Sequence, residues 1–161
     1  MGGVVVVGGG HAGVQAAASL RAGGYRGGVT VVCAERHLPY DRPSLSKEML
    51  ADGADPTSIA MRPRSFFDER QIALVNDPVV GIDRARRRVE LGCGRQLGYD
   101  HLVLATGAVP RPLAVPGSGL QGVVELRGLD DALALGAALA RARQVVVVGG
   151  GFIGMEVASA A

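Results

Sequence analysis

An excess of charge of one sign is missing from this chain. Across 161 residues, 17 lysines and arginines stand against 15 aspartates and glutamates, a net charge of +2. That balance gives no support to nucleic-acid binding. The basic run "RARRRVE", residues 84–90, alternates with apolar residues on an expected hairpin and reads as a solvated charged face. Long hydrophobic runs are missing too. None approaches the ~18 residues that cross a bilayer, and "MGGVVVVGGG" has neither the basic start nor the length of a signal peptide. No membrane partner is expected, and the cytoplasm is the expected location. Cysteine is scarce: Cys33 and Cys93 lie sixty positions apart with no C-x-x-C pair, which excludes a paired redox motif or a metal cluster and leaves both as expected packing residues. His11, His37 and His101 are scattered, with no nucleophile set and no metal-ligand spacing, so no metal site is expected.

Glycine, by contrast, is abundant at 25 residues, clustered in "GGG" runs after apolar segments and not in a repeating register. Such clusters mark special backbone geometry and not a linker or a collagen-like repeat. With 48% hydrophobic residues the chain is long enough for an ordinary globular core. "GGVVVVGGGHAGVQAAASLRAGG" reads as a buried strand, a glycine turn and a helix from about Ala12 to Arg21 that stops at Gly23 and Gly24. "VTVVCAE" follows as a second apolar strand, and the resulting βαβ unit predicts a parallel sheet. Further on, "PRSFFDERQ" predicts a short helix and "IALV" a strand, while "VVGIDRARRRVELGCGRQLGYD" predicts an antiparallel excursion with "GCG" at a turn. "HLVLATGAVPRP" predicts another buried strand ending in a Gly/Pro loop. "DDALALGAALARA" has helical periodicity, with Asp130 and Asp131 at its positive end.

The tail "QVVVVGGGFIGMEVASAA" repeats the strand, turn and helix of the start, so Gly8-x-Gly10-x-x-Gly13 and Gly149-x-Gly151-x-x-Gly154 are two copies of one device. In the first copy, Gly8 permits the tight turn, Gly10 lets the backbone approach a pyrophosphate, and Gly13 lets helix and strand pack closely. The helix start adds N–H groups and partial positive charge for phosphate. Glu35, 22 residues beyond Gly13 at the end of the second strand, is placed to accept ribose hydroxyls. This context predicts dinucleotide binding. The second copy lacks a visible acid because the chain stops inside its helix, and the polypeptide reads as the front part of a longer protein. Two dinucleotide sites imply two cofactors exchanging electrons, for which a flavin and a nicotinamide are the natural pair.

The order "GGGHAG", "LPYDRPSLSK", "LVLATGAVPR", "VVELRGLDDA" and "VVVVGGGFIGMEVA" spans essentially the whole chain. It resembles the ferredoxin and rubredoxin reductases of the FAD-dependent pyridine nucleotide-disulfide oxidoreductase superfamily, in particular the reductase components of Rieske-type dioxygenases and soluble haem monooxygenase systems. The resemblance implies an α/β fold: a Rossmann-like three-layer FAD-binding domain with a parallel sheet and an antiparallel β excursion, over residues 1–108. Residues 109–161 would be a linker and the start of a second, NAD(P)-binding Rossmann unit. It further implies that the backbone around Gly10, His11, Ala12 and Gly13 holds the FAD pyrophosphate and that Glu35 holds the ribose. Relatives usually carry two adjacent acids at that strand end, where this chain has Ala34 before Glu35. Arg42, Lys47 and Arg127 would contact FAD, the backbone of Val80 would meet the adenine, and Ala105, Thr106 and Gly107 would close against the cofactor. Gly149, Gly151 and Gly154 would serve NAD(P)H. Lys47 would pair with Glu156 beside the flavin ring, and Pro39 and Pro43 would stiffen the loop that carries the two cations.

The function so implied is an FAD-dependent NAD(P)H reductase that passes electrons to a ferredoxin or rubredoxin. Two other readings stay open: a disulfide, peroxide or oxygen reductase of the same superfamily, and a non-catalytic, apoptosis-inducing-factor-like FAD-binding module. Residues 1–161 alone are expected to retain FAD weakly or not at all and to turn over nothing. Exposed edges of unfinished sheet units could favour homo-oligomers.

Overall fold

The computed structural model describes residues 3–51 and 53–161, which form two compact units. The first comprises residues 1–40 and 60–107 and holds all the strands found among the described residues. In chain order these are β1 (Val4–Val7), β2 (Val29–Cys33), β3 (Ile72–Asn76), β4 (Val79–Asp83), β5 (Arg88–Leu91), β6 (Gln96–Gly98) and β7 (His101–Leu104), with helices α1 (His11–Ala22) and α2 (Arg64–Glu69). A wholly parallel sheet runs β3-β2-β1-β7, with Val4 opposite both Val29 and His101 and Val29 opposite Ile72. The expected βαβ unit is therefore present, with α1 as its crossover.

Successive residues of a strand face opposite sides of the sheet, and a strand covered on both sides must be apolar throughout. The four valines of β1 meet that demand. Val4 and Val6 join Val14 and Ala17 of α1, Val29, Val31 and Cys33 of β2, Phe67 of α2 and Ile72. Val5 and Val7, with Val32, face the other way onto Val89, Leu91 and Tyr99. The second group comes from the region of the antiparallel sheet β4-β5-β6, whose β5–β6 turn carries the expected "GCG" with Gly94 at φ +82°. The predicted three layers are thus helix, parallel sheet and antiparallel excursion. Arg84, Arg86, Arg87 and Arg88 are exposed on the excursion, as a solvated face requires.

Three expectations need correction. β7 is not a buried strand: among the described residues it lies at the sheet edge with only β1 beside it, and Leu104 is 61% exposed. Cys33 is buried, but Cys93 is exposed, because the tip of the β5–β6 hairpin has no interior to pack into. The segment Val145–Val148 is not in a strand among the described residues. Apolar content favours strand, yet a strand exists only when a neighbour shares its backbone hydrogen bonds.

One side chain that sequence reading passed over ties the first unit together. Arg21, in the last turn of α1, donates from Nε to the carbonyl of Arg70 (2.8 Å) and from its terminal nitrogens to those of Tyr25 (2.7 Å), Gly27 (2.8 Å) and Gln71 (2.8 Å). A planar guanidinium can serve several fixed acceptors at once, which an ammonium on a flexible stem cannot.

The second unit comprises residues 41–59 and 108–161. Its elements are two short 3-10 turns, Arg42–Ser46 and Glu48–Leu50, and helices α3 (Leu129–Leu139) and α4 (Phe152–Ala160). Pro43 is the second residue of the first turn, where a fixed φ suits a helical start and the backbone N–H groups have no partner within the helix. Asp131 caps α3 by accepting from the N–H groups of Arg127 (3.0 Å) and Gly128 (2.8 Å). Leu50, Leu135 and Val157 form one apolar cluster in it, with Leu126 and Leu139 against them.

Replacing Phe67, which is fully buried, by Ala is expected to lower the unfolding free energy by about 3–5 kcal/mol. Arg21→Ala is expected to cost about 1.5–3 kcal/mol, with Arg21→Lys recovering less than half of it. Equilibrium urea unfolding of the three variants against the parent checks both values.

Candidate functional site

In the first unit the site begins where β1 ends. Gly8 takes φ +115°, a conformation that side-chain-bearing residues rarely adopt. A Cβ on Gly13 would strike the carbonyl oxygen of Gly8 and stand 3.3 Å from Val6 Cγ1, so only glycine lets α1 close onto the strand end. A Cβ on Gly9 would strike Cys33 Sγ, which places the end of β2 directly beneath the turn. Gly10 behaves differently: a Cβ there would meet nothing within 4 Å, so the backbone at the mouth of the helix opens onto free space. Gly10 caps α1 in extended conformation (φ −80°, ψ −176°), with no side chain bonding the cap and no acid in the first turn. His11 and Ala12 begin the helix on its exposed side. Such a helix start suits a pyrophosphate, which supplies the acceptors and the negative charge that the first turn attracts.

Other expected residues border the same turn. The N–H of Ala105 donates to Val7 (2.8 Å), and a Cβ on Gly8 would strike the Ala105 carbonyl and lie 3.2 Å from the Thr106 nitrogen. Gly107 follows at φ +69°. Glu35, just beyond β2, accepts a hydrogen bond from the hydroxyl of buried Tyr40, and its carbonyl accepts one from Asn76 Nδ2 at 2.8 Å. Sequence reading missed Tyr40, although its place five residues after the acid, within "LPYDRPSLSK", was a usable signal. Val80 lies elsewhere, on β4, and is 64% exposed. There Val79 and Gly81 oppose the consecutive residues Leu91 and Glu90, so Val80 is the extra residue of a β-bulge and stands outside the ladder.

The second unit holds a cavity of about 330 Å³ whose lining includes Arg42, Lys47, Arg127, Phe152, Ile153 and Glu156. Four residues expected to serve one site from distant parts of the sequence are therefore brought together. Lys47 Nζ lies 3.3 Å from Glu156 Oε1, and an Arg42 terminal nitrogen donates to the Arg127 carbonyl at 2.9 Å. The hydroxyl of Ser46, which sequence reading also missed, donates to Glu156 Oε2. That bond, and then Lys47, hold the Glu156 carboxyl below the usual carboxylate range. At the start of α4 the second glycine device repeats the first: Gly149 has φ +117°, Gly151 caps the helix at φ −76° and ψ 178°, and a Cβ on Gly154 would strike the Gly149 carbonyl and approach Val147 Cγ1 to 3.2 Å.

Among the described residues there is no cluster of three or more metal-ligating side chains, and no helix is long and apolar enough to cross a membrane.

The profile of the pyridine nucleotide-disulphide oxidoreductases matches residues 2–161. Over 159 residues the chain is 48% identical to the rhodocoxin reductase of Rhodococcus erythropolis, covering 98% of this chain and 37% of that protein. It is 44% identical to the rubredoxin-NAD(+) reductase of Pseudomonas putida, covering 98% of this chain and 41% of that protein. Among solved structures, the ferredoxin reductase for the CYP199A2 system of Rhodopseudomonas palustris superposes with a TM-score of 0.95 at 45% identity, over 99% of this chain and 40% of that one. Putidaredoxin reductase, in a covalent complex with putidaredoxin, superposes with a TM-score of 0.88 at 40% identity, over 99% of this chain and 39% of that one. The chain thus spans about two fifths of the length of the curated relatives it matches.

Burial first, and the charge of Glu35 second, push the Cys33 thiol up from 9.0 to about 11. Between those values the unfolded chain loses the proton while the folded chain keeps it, so stability present below pH 9 is lost as pH rises towards 11. The expected loss across that window is on the order of 2–3 kcal/mol. Urea unfolding as a function of pH should show it in the parent and not in Cys33→Ala.

Proposed function

The chain belongs to the pyridine nucleotide-disulphide oxidoreductase family, and from that premise we propose that the intact protein is an FAD-dependent NAD(P)H reductase that delivers electrons to a ferredoxin or rubredoxin. The observation that carries this reading is the cavity in which Lys47, paired with Glu156, stands beside Arg42 and Arg127. The names of the relatives, rhodocoxin, rubredoxin and ferredoxin reductases, supply the acceptor class.

In this reading residues 1–108 serve FAD and residues 109–161 open the NAD(P)H-binding domain. The backbone of Gly8, Gly10, His11, Ala12 and Gly13 receives the FAD pyrophosphate at the mouth of α1, where the open face of Gly10 leaves room for it. Glu35 accepts the ribose hydroxyls, with Tyr40 orienting its carboxylate. The bulged backbone of Val80 meets the adenine, and Ala105, Thr106 and Gly107 close the turn from the side. Gly149, Gly151 and Gly154 receive the nicotinamide dinucleotide in the same way. FAD supplies the chemistry: hydride acceptance from the nicotinamide and release of electrons one at a time. The protein's part is binding, orientation and electrostatics. Lys47 would set a positive charge towards the bound flavin, Glu156 holds that ammonium in place, and Arg42 and Arg127 would contribute further positive charge.

Cys33 bears on the disulfide-reductase alternative. A redox cysteine needs an accessible thiolate, whereas Cys33 is buried under Gly9 and its thiol is pushed up to about 11. The cytoplasm is the compartment that fits this activity.

In the full-length enzyme Lys47→Met is expected to slow flavin reduction by NADH or NADPH by roughly tenfold or more, equivalent to at least about 1.4 kcal/mol of barrier. Stopped-flow absorbance at the flavin band reads this directly, and parental kinetics would remove Lys47 from the mechanism. Glu35→Gln should weaken FAD binding by roughly tenfold, the loss of a hydrogen bond to a charged acceptor. Titration of the apoprotein with FAD checks it. A full-length protein that purifies colourless and leaves added FAD free would defeat the whole reading.

A further inference from the structure

Ser46 is buried at 5% exposure at the end of the first 3-10 turn, between buried Leu45 and, two residues beyond Lys47, buried Met49. Its hydroxyl has one acceptor, Glu156 Oε2, across 110 positions of sequence. The other carboxylate oxygen, Oε1, is the one that meets Lys47. Glu156 is therefore gripped on both oxygens by two consecutive residues, the last of the first 3-10 turn and the one that follows it. Val157, the next residue of α4, is buried against Leu50 and Leu135, so the helix face that bears Glu156 cannot rotate away without opening that core.

These contacts solve a physical problem. The Lys47 and Glu156 side chains are 53% and 31% exposed. An ion pair that wet gains little from its charges and loses side-chain entropy on being held in one geometry. Left to itself it would sample many arrangements, and a cation that must stand at one edge of a ring needs one. A buried hydroxyl on a turn locked by its apolar neighbours supplies the missing anchor.

We infer that Ser46 is a positioning residue that fixes the Glu156 carboxylate and, through it, the Lys47 ammonium. The inference rests on the reading of Lys47 and Glu156 given above for its catalytic consequence, but not for the bond itself. The charged groups that line the cavity with Glu156 are Lys47 and Arg42, from the turn, and Arg127, which precedes α3; all three are positive and favour the ionised carboxylate. The Ser46 hydroxyl adds to that preference, and its removal is expected to raise the Glu156 pKa.

The test uses full-length protein carrying Ser46→Ala, Ser46→Thr, Lys47→Met and the Ser46→Ala/Lys47→Met double substitution. Two quantities are read. The first is the Glu156 carboxyl titration by carbon NMR of glutamate-labelled apoprotein, assigned with Glu156→Gln. The second is the rate of flavin reduction by NADH or NADPH across pH. In Ser46→Ala the Glu156 titration is expected to move to higher pH and flavin reduction to slow by about three- to tenfold, as fits the loss of a hydrogen bond to a partly solvated charge. Ser46→Thr, which keeps the hydroxyl, should restore both. Adding Ser46→Ala to Lys47→Met should slow the reaction no further, because a residue that acts through the pair has nothing left to act on. A Glu156 titration that stays put in Ser46→Ala overturns the inference whatever the rates do, and so does equal slowing with and without Lys47. A titration that moves while Lys47→Met reduces its flavin at the parental rate instead overturns the redox role of the pair and leaves the Ser46–Glu156 bond established.

Discussion

The first unit depends on one missing atom. Because Gly13 has no Cβ, the carbonyl of Gly8 can seat against it, and α1 can start directly over the end of β1. Any side chain at that position would force the helix away from the strand, and the cradle at Gly10 would then lose both its floor and its direction. The same contact recurs between Gly154 and Gly149, with φ values of +115° at Gly8 and +117° at Gly149. The second copy reaches that geometry although Val145–Val148 is not in a strand among the described residues. The turn is therefore a local property of the glycine spacing and does not require a finished sheet around it.

What the first turn has and the second lacks is a set of close neighbours. Around Gly8 and Gly9 stand the Ala105 carbonyl and the Cys33 thiol, so the backbone is confined on two sides and open only towards Gly10. At Gly149, Gly150 and Gly151 an added Cβ would meet nothing within 4 Å. In the proposed reading, confinement of this kind would let the first turn hold a phosphate in a single place, because the cost of ordering the loop has been met by packing. The alternating valines of β1 serve the same end. They bury both faces of the strand and leave its end as the rigid support of the turn.

Most of the framework could be read in advance because its signals are local. The apolar period, the glycine stops and the Asp130–Asp131 pair at the start of α3 each act within a few residues, and the expected elements other than the strand at Val145–Val148 formed close to their bounds. The errors share a different cause. The burial of β7 depends on what lies beyond it in the sheet order, and the pairing of Val145–Val148 depends on a neighbour. Cys93 has the composition of a core residue but the position of a hairpin tip. Ser46 and Arg21 were missed because each acts on a partner that no spacing rule connects to it, Glu156 and the carbonyls of Arg70 and Gln71, whereas Tyr40 lay only five residues from Glu35 and was simply passed over.

The sequence by itself determined the chemical kinds of group available, the two glycine devices, and the family resemblance carried by "LPYDRPSLSK" and its companions. These depend on backbone freedom and residue type within short windows, which a linear string records. Only the tertiary structure decided that Lys47, Ser46 and Arg42 share one cavity with Arg127 and Glu156, and which oxygen of Glu156 each partner takes. Ion pairs and buried hydrogen bonds act over about three ångströms of space. Distance along a chain says nothing about distance of that kind until the core has folded.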